Sequence, residues 1–435
     1  MTDRIGDRAL LVLPVFPEDI PAETRSRLEE TAGLAEALEL DLVSAFEAPL
    51  RKPSAATLLG RGKVDEIGEM AEDESVGLVI VDAHLSPGQQ RTLERAWKAK
   101  VIDRTCLILE IFGLRARTRE GSLQVELARL AYERSRLVRT WTHLERQRGG
   151  QGFIAGPGET QIETDRRLLS ERITKLRKEL EEVRRTRGLH RDSRRRSAYP
   201  VVSLVGYTNA GKSTLFNYLT GESVLAKDMP FATLDTTLRV VDLPHGRRII
   251  LSDTVGFITD LPPDLVAAFR ATLEEIKEAD LLINVRDISS PHTDEQAEDV
   301  MKVLETLEAG AESGQAIMEA WNKADLLDEE DQRFIKARAA GAGIPSVPIS
   351  AEKRENIDAL LELIEEMLAR QAHEIEIVAG PHDSAARAWL FQHGEVLDEG
   401  VTGEGGITRL TARLDPAAAG QFRQKFPDLE ITRLN

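Results

Sequence analysis

The residues best suited to chemistry form a glycine-rich run that begins at Gly206. The run fits the phosphate-binding pattern G-x-x-x-x-G-K-S and consists of Gly206, Tyr207, Thr208, Asn209, Ala210, Gly211, Lys212, Ser213 and Thr214. Glycines let a backbone wrap around a polyphosphate, and the amides of such a loop point at its oxygens. We expect Lys212 to reach the β- and γ-phosphates as a catalytic cation and Ser213 to ligate Mg²⁺.

A second motif, D-x-x-G, follows the first at about the distance that nucleotide hydrolases use. It consists of Asp253, Thr254, Val255 and Gly256. We expect Asp253 to hold a water on Mg²⁺ and the Gly256 amide to face the γ-phosphate in catalysis. The next residue is Phe257, where many GTPases carry a glutamine that orients the attacking water. Phenylalanine cannot do this, so the sequence predicts slow intrinsic hydrolysis, with the missing group supplied by a partner or another loop.

Two further runs predict which base is bound. The tetrapeptide Asn322-Lys323-Ala324-Asp325 follows an apolar run, as a base-binding loop should. Guanine presents N1–H and an exocyclic amine side by side, and the Asp325 carboxylate can accept both, whereas adenine would leave it unpaired. We expect Lys323 to pack along the ring and Asn322 to tie loops together. Farther on, the Ser350-Ala351 pair can offer a backbone amide to the guanine carbonyl oxygen. The sequence therefore predicts GTP, not ATP, as substrate.

A threonine-rich run between the first two motifs occupies the place of a nucleotide-sensing switch. We assign the nucleotide-contacting residues there as Phe231, Ala232, Thr233, Leu234 and Asp235. In such a switch one threonine hydroxyl completes the Mg²⁺ shell and senses the γ-phosphate. We assign that role to Thr233, as metal ligand and catalytic residue, with Thr236 as the alternative. A threonine-rich strand edge accounts for at least two of the three threonines Thr233, Thr236 and Thr237.

These motifs need a scaffold of strands and helices to bring them together. The run Val201–Val205 is apolar and β-branched, as a buried strand should be, and Thr214–Leu219 carries apolar residues at helical spacing. A P-loop between a strand and a helix indicates an α/β domain, which we place at residues 198–370. Residues 1–112 alternate strand and helix patterns, which predicts a small parallel α/β domain. Residues 371–435 follow the order β-α-β-β-α-β, which predicts a small ferredoxin-like α+β domain.

Residues 113–197 carry two leucine-rich heptad patterns joined by a glycine-rich segment, Gly149–Gly158, and we expect a basic helical hairpin. Between Arg115 and Arg196 there are 22 Arg and Lys residues against 12 Asp and Glu, although the whole chain has a formal charge of −17. Arginine suits phosphate contacts, so a hairpin that binds RNA, with Arg134, Arg136 and Arg139 among the contacts, is one interpretation. A structural coiled coil with solvated charges is the other.

The cysteine content and the lack of long apolar runs restrict the class of protein. The single cysteine, Cys106, permits no internal disulfide and lies in an apolar run, so we expect a buried structural role in a reducing cytoplasm. We find neither a signal peptide nor an apolar run long enough to cross a bilayer. In the first domain, Gly60-Arg61-Gly62-Lys63 precedes a helical pattern. It is either a second anion site or a simple turn before a helix.

Taken together, the motifs resemble those of the HflX family of ribosome-associated GTPases. Besides the P-loop, the family signatures are the runs 58–66, 103–105, 115–118, 123–128 and 156–165. The resemblance covers most of residues 10–370. It implies a cytoplasmic GTPase that binds the large ribosomal subunit and splits or rescues stalled ribosomes. We also expect a monomer.

The resemblance also implies that the hairpin contacts ribosomal RNA near the peptidyl-transferase region, and that the first domain binds ATP in some relatives. Two other functions fit the motifs. One is a GTPase of tRNA modification or RNA maturation. The other is a GTP-switched adaptor whose hairpin grips a protein.

Overall fold

A computed structural model describes most of the chain. The described residues are 8–147, 157–195, 199–221, 230–231, 233, 237–258, 276–310, 313–370, 373–380, 383–402, 407–414, 416–427, 429 and 431–433. The chain divides into two compact units. The first comprises Met1–Val183, Lys227–Asp235 and Asp260–Arg270, and the second comprises Arg184–Ala226, Thr236–Thr259 and Ala271–Asn435. The expected domain boundaries at 112, 197 and 370 stay predictions.

The first unit contains a parallel four-stranded sheet, as the alternating pattern predicted. Its strand order is β2-β1-β3-β4, with bounds β1 Arg8–Val15, β2 Asp41–Pro49, β3 Leu78–Val81 and β4 Lys100–Asp103. All four residues of β3 are buried because helices cover both faces of a parallel sheet. The carboxyl ends of β3 and β4 therefore meet at one edge of the sheet.

Four helices accompany this sheet: α1 Pro21–Glu36, α2 Arg61–Asp73, α3 Pro87–Trp97 and α4 Arg104–Arg115. Ser86 caps α3 through a reciprocal capping box with Gln89. Sequence analysis did not anticipate α4, which begins where Asp103 accepts a hydrogen bond from the Cys106 amide at 2.9 Å. Burial raises the pKa of the Cys106 thiol to about 12, so the thiol stays protonated, as a structural residue should.

Two long helices follow, α5 Arg119–Gln147 and α6 Pro157–Arg195. They pack through apolar side chains of the two predicted heptad patterns: Leu123, Leu127, Leu130, Leu176, Leu180 and Val183. The Arg172 guanidinium also contacts the Glu126 carboxylate at 2.7 Å. The two helices of the expected hairpin thus form and pair, while residues 149–156 of its glycine-rich tip lie outside the described residues.

The second unit contains a six-stranded sheet that carries the predicted motifs. Its order is β10-β9-β8-β5-β7-β6, with bounds β5 Val201–Val205, β6 Thr237–Asp242, β7 Arg248–Asp253, β8 Leu281–Asp287, β9 Ala316–Asn322 and β10 Ser346–Pro348. Only the pairing of β6 with β7 is antiparallel, since these two strands form a hairpin that turns at Gly246. Its helices are α7 Lys212–Thr220, α8 Thr293–Thr306, α9 Glu329–Ala340 and α10 Ile357–Arg370.

The C-terminal part of the second unit is an antiparallel four-stranded sheet with two helices. Its order is β12-β13-β11-β14, with bounds β11 His373–Ala379, α11 Ser384–His393, β12 Glu395–Thr402, β13 Ile407–Leu414, α12 Pro416–Lys425 and β14 Ile431–Arg433. The large side chains of its core are Trp389 and Phe422. The β-α-β-β-α-β order predicted from the sequence is confirmed. Among the described helices of the whole chain, none has the length and apolarity needed to cross a bilayer.

Candidate nucleotide-binding site

The P-loop connects β5 to α7, and its glycines stand where no side chain fits. Gly206 has φ +139°, and a Cβ there would lie 2.3 Å from the Val285 carbonyl oxygen. Gly211 has φ +92°, and its Cβ would lie 2.1 Å from Asn322 Nδ2. The close approach of β8 and β9 therefore requires glycine at both positions. The glycines keep the loop wrapped tightly before α7.

Lys212 opens α7 and is buried beneath the loop. Its ammonium donates to the Gly206 and Tyr207 carbonyl oxygens at 3.1 and 2.6 Å. Burial lowers the pKa of Lys212 to about 8, and the nearby Asp253 carboxylate partly opposes that shift. No side chain caps α7, so its first amides are available to an anion. A buried cation below uncapped amides is an arrangement suited to polyphosphate.

Two oxygens that could serve Mg²⁺ lie side by side next to the P-loop. Ser213 Oγ donates to Asp253 Oδ2 at 2.9 Å, and Asp253 is the fully buried last residue of β7. Within the described residues no group of three or more His, Cys, Asp or Glu side chains is placed so that it could hold a metal ion. Mg²⁺ at nucleotide sites commonly takes one or two protein oxygens together with phosphates and waters, so this pair fits such an ion.

The D-x-x-G segment is fixed to the P-loop by its main chain. The Thr208 amide donates to the Phe257 carbonyl at 2.7 Å, and the Phe257 amide donates to the Gly206 carbonyl at 3.1 Å. A Cβ at Gly256 would lie 2.9 Å from Lys212 Nζ. The Phe257 side chain is 2% exposed. Sequence analysis treated Phe257 as a missing glutamine, whereas in the structure it also packs in the core and joins two motifs.

Asn322 connects the loops of the base-binding region, as expected. Its Nδ2 donates to the Ala210 carbonyl at 2.8 Å, and its Oδ1 accepts from the Ala351 amide at 2.9 Å. The P-loop, the end of β9 and the segment after β10 are thus held together by one amide side chain. Ser350 is buried, and its hydroxyl accepts from the Lys353 amide at 3.0 Å.

The residues assigned to the base lie just after Asn322. Asp325 belongs to a short 3₁₀ turn, Ala324–Leu326, and is half-buried. Among the described residues its carboxylate has no hydrogen-bond or ion-pair partner, so both oxygens are available to a ligand. Lys323 forms an ion pair with Asp287 at 2.8 Å. Sequence analysis did not identify Asp287. Its position at the end of β8, the strand next to β9, could have indicated that it lies near the base-binding loop.

Within the threonine-rich run, Phe231 and Thr233 are described, and Thr237 is the first residue of β6. Phe231 and Thr233 belong to the first unit, whereas Ser213 and the P-loop belong to the second. Phe231 packs edge-to-face against Phe112, with ring centroids 4.7 Å apart, and Thr233 is buried. Ala232, Leu234, Asp235 and Thr236 lie outside the described residues. The assignment of Thr233 to Mg²⁺ therefore stays a prediction.

In the second glycine-rich run, Gly60 to Lys63 of the first unit, the lysine side chain contacts other residues of the protein. Lys63 Nζ lies 2.7 Å from Glu66 Oε1 and 5.2 Å from the centroid of the Phe46 ring. The helix α2 begins at Arg61 and Gly60 precedes it in extended conformation. These contacts favour the simple turn before a helix.

Comparison with protein families divides the chain into three matched regions. Residues 25–113 match a family described as GTP-binding GTPase N-terminal, and residues 115–194 match the GTP-binding GTPase middle region. Residues 201–323 match a family described as 50S ribosome-binding GTPase. The last region contains the P-loop, the D-x-x-G motif and Asn322.

Individual relatives match over nearly the whole chain. GTPase HflX of Magnetococcus marinus is 45% identical over 423 residues, covering 97% of this chain and 96% of the relative. GTPase HflX of Escherichia coli is 41% identical, covering 93% and 92%. Among solved structures, that of SsGBP in complex with GDP matches with a TM-score of 0.49 and 28% identity, covering 83% of this chain and 98% of that one.

Proposed function

This chain belongs to the HflX family of GTPases, and from that premise we propose that it binds the large ribosomal subunit and splits or rescues stalled ribosomes. The hydrolysis of GTP is the activity of the family and of its P-loop domain. The observation that carries the ribosomal part is the match of residues 201–323 to a family described as 50S ribosome-binding GTPase. The basic helical segment supports the same partner.

We assign the chemistry to the P-loop site of the second unit. Lys212 exchanges its two loop carbonyls for phosphate oxygens, the uncapped amides of α7 hold the same phosphates, and the Gly256 amide faces the γ-phosphate. Ser213 and Asp253 would hold Mg²⁺, which neutralises charge that develops on the phosphates. Asp325 and Lys323 select guanine. Thr233 is proposed to complete the metal shell.

Slow intrinsic turnover is part of the proposal. The buried Phe257 side chain supplies no group that can orient a water, so we expect basal hydrolysis well below the roughly 10 s⁻¹ typical of enzymes. The large subunit would supply or order the missing group. Added subunits should therefore raise the rate at which bound GTP is hydrolysed.

The basic segment would provide attachment to ribosomal RNA. On α6 the side chains of Lys175, Arg177 and Lys178 are exposed, on the side of the helix away from the leucine contacts. Exposed cations give sequence-independent binding to phosphate that weakens with salt. Arg136, which the sequence suggested as an RNA contact, instead pairs with Asp103 at 3.2 Å with a side chain 15% exposed. We therefore move the proposed RNA contacts from Arg136 to the exposed face of α6.

Cosedimentation with purified large subunits tests the proposal. The parent protein should sediment with subunits in the presence of a non-hydrolysable GTP analogue and less with GDP. The double variant Arg177→Glu, Lys178→Glu should bind more weakly and show a smaller salt dependence. The matched control, Arg333→Glu with Lys336→Glu on the exposed face of α9, makes the same change in charge and should bind as the parent does.

Splitting is tested separately by light scattering of intact ribosomes mixed with protein and GTP. Deletion of residues 150–157 should abolish splitting and leave much of the affinity. A deletion variant that splits ribosomes as fast as the parent would show that the tip is merely a connector. Failure of the parent to sediment with subunits under any nucleotide would instead favour the RNA-maturation or adaptor alternatives.

A further inference from the structure

The carboxyl ends of β8 and β9 lie side by side, and this places an acidic residue next to the base-binding loop. In the register of the two strands Asp287 is the partner of Asn322. The Ile288 amide donates to the Asn322 carbonyl at 3.0 Å, which extends the pairing one residue beyond the strands. Asp287 and Lys323 are therefore neighbours because of the sheet register, although 36 positions separate them in the chain.

Lys323 combines an uncommon backbone conformation with a side chain that reaches Asp287. Lys323 has φ +64°, in the left-handed region that non-glycine residues seldom adopt. Its Nζ lies 2.8 Å from Asp287 Oδ2, and the two side chains are 23% and 19% exposed. Most of the long aliphatic stem of Lys323 is thus held in one path, with its charged end fixed.

The other oxygen of Asp287 is fixed as well. Asp287 Oδ1 accepts from the Ser289 amide at 3.1 Å and from the Ser289 hydroxyl at 2.6 Å. The carboxylate therefore cannot rotate to follow Lys323 without breaking the turn after β8. This makes Asp287 a rigid anchor, in contrast to an exposed carboxylate whose rotamers are free.

We propose that Asp287 is a positioning residue for nucleotide recognition. By anchoring the Lys323 ammonium, it holds the Lys323 stem as one wall of the base pocket, beside the Asp325 carboxylate. The inference rests on the proposed assignment of guanine to Lys323 and Asp325. A lysine side chain loses much rotamer freedom when it is ordered. If Asp287 orders Lys323 before the nucleotide arrives, that entropic cost does not weaken binding.

A double-mutant cycle on GDP binding tests this inference. Titration calorimetry in the presence of Mg²⁺ would compare the full-length parent with Asp287→Asn, Lys323→Met and the double variant. Asparagine can still accept the hydrogen bonds from Ser289 but has no charge for Lys323. We expect Asp287→Asn to weaken GDP binding about fivefold. The double variant should bind no more weakly than Lys323→Met alone, because Asp287 acts through Lys323.

Two further variants separate positioning from a general structural effect. Asp242→Asn makes the same chemical change in an exposed ion pair with Arg248 at the end of β6, so it should bind GDP as the parent does. Asp287→Glu keeps the charge and should bind GDP more tightly than Asp287→Asn, which keeps the test informative if the asparagine variant folds poorly.

The outcomes distinguish the inference from the assignment on which it rests. Multiplicative effects of Asp287→Asn and Lys323→Met would overturn the positioning role, since Asp287 would then act independently of Lys323. Unchanged GDP binding by Lys323→Met would show that Lys323 does not contact the base. The proposed base site itself would then be wrong, and the positioning role with it.

Discussion

Two sheets in this protein carry acidic residues at the carboxyl ends of their parallel strands, but the partners of these residues differ between the two sheets. In the first unit the buried Asp82, just after β3, accepts from Arg27 at 2.9 Å and contacts Arg104 at 3.3 Å. Asp103, at the end of β4, accepts from the Tyr132 hydroxyl at 2.6 Å and pairs with Arg136. The cations that neutralise these carboxylates all come from helices of the same unit.

The corresponding edge of the second unit is built mainly from glycines, main-chain amides and two lysines, Lys212 and Lys323. Asp253 holds the Ser213 hydroxyl, and Lys212 is buried against main-chain carbonyls. Within the described part of the chain the Asp325 carboxylate has no hydrogen-bond or ion-pair partner. Carbonyl oxygens are weaker partners for a buried ammonium than a phosphate would be. This edge therefore keeps a cation and a carboxylate available for a ligand.

The contrast shows that the edge of a parallel sheet does not define a ligand site by topology alone. A buried carboxylate is costly unless a charge or several hydrogen bonds compensate it. In the first unit the compensating arginines come from α1, α4 and α5, so their ion pairs with Asp82 and Asp103 attach these helices to the sheet. We call these ion pairs the internal anchor. Asp103 thereby joins α5 to the first sheet. Where the compensation is incomplete, as around Lys212, the edge is prepared to bind nucleotide.

The largest effect is expected from breaking the internal anchor of the first unit. Arg104→Met leaves the fully buried Asp82 short of a partner and should destabilise that unit by about 3 kcal/mol. Hydrogen exchange of peptides from β3 and β4 would measure the loss, with peptides of the second unit as an internal reference. Arg8→Met, which breaks a half-exposed pair with Glu74, should cost less than about 1 kcal/mol. Equal losses of stability in the two variants would show that the buried ion pair of Asp82 contributes no more than an exposed one.

The next largest effect is expected on nucleotide binding when Lys212 of the second unit is replaced. Lys212→Ala should weaken GDP binding by at least about 100-fold, since it removes charge-assisted hydrogen bonds to phosphate. Fluorescence titration with a labelled nucleotide measures the change. Lys63→Ala, in the glycine-rich run of the first unit, should leave that affinity unchanged because Lys63 is paired with Glu66. A comparable loss in both variants would mean that the two runs share one function.

Base selection should respond at Asp325. Asp325→Asn replaces an acceptor by a donor, so GTP binding should weaken by about 1.5–3 kcal/mol and xanthosine nucleotides should be admitted. Competition titrations with GTP, XTP and ATP give the order of preference. The control is Asp328→Asn at the N-terminus of α9, where the side chain accepts from the Glu330 and Asp331 amides, and it should not change the preference. Equal competition by ATP in the parent would contradict the assignment.

The smallest effect is a pH dependence that follows from burial of Lys212. Its pKa in the free protein is lowered to about 8, and bound phosphate should raise it again, so binding takes up a proton above that pH. GDP affinity should therefore fall by about tenfold between pH 7 and pH 9. The matched variant Lys212→Arg cannot lose its charge in this range, and its affinity should be nearly constant. A GDP affinity of the parent protein that rises between pH 7 and pH 9 would contradict this prediction.

The local motifs of the nucleotide site could be predicted because their chemistry depends on short spacing. A P-loop needs its glycines, lysine and serine within eight residues, and the sheet then brings Asn322 to Ala210 as the motif order implied. The family and most of the order of strands and helices followed from the same local patterns, although α4 was not anticipated. The C-terminal β-α-β-β-α-β order was also predicted correctly.

Other roles were decided only by tertiary structure, because the partners are far apart in the chain. Nothing in the sequence around Arg136 shows that it faces Asp103 instead of solvent, since the ion pair depends on how α5 packs beside β4. Asp287 meets Lys323 only through the register of β8 and β9. The Phe257 main chain joins the P-loop because β5 and β7 are adjacent. A charge or an amide gains its role from the partner that folding places beside it, and sequence spacing alone does not specify that partner.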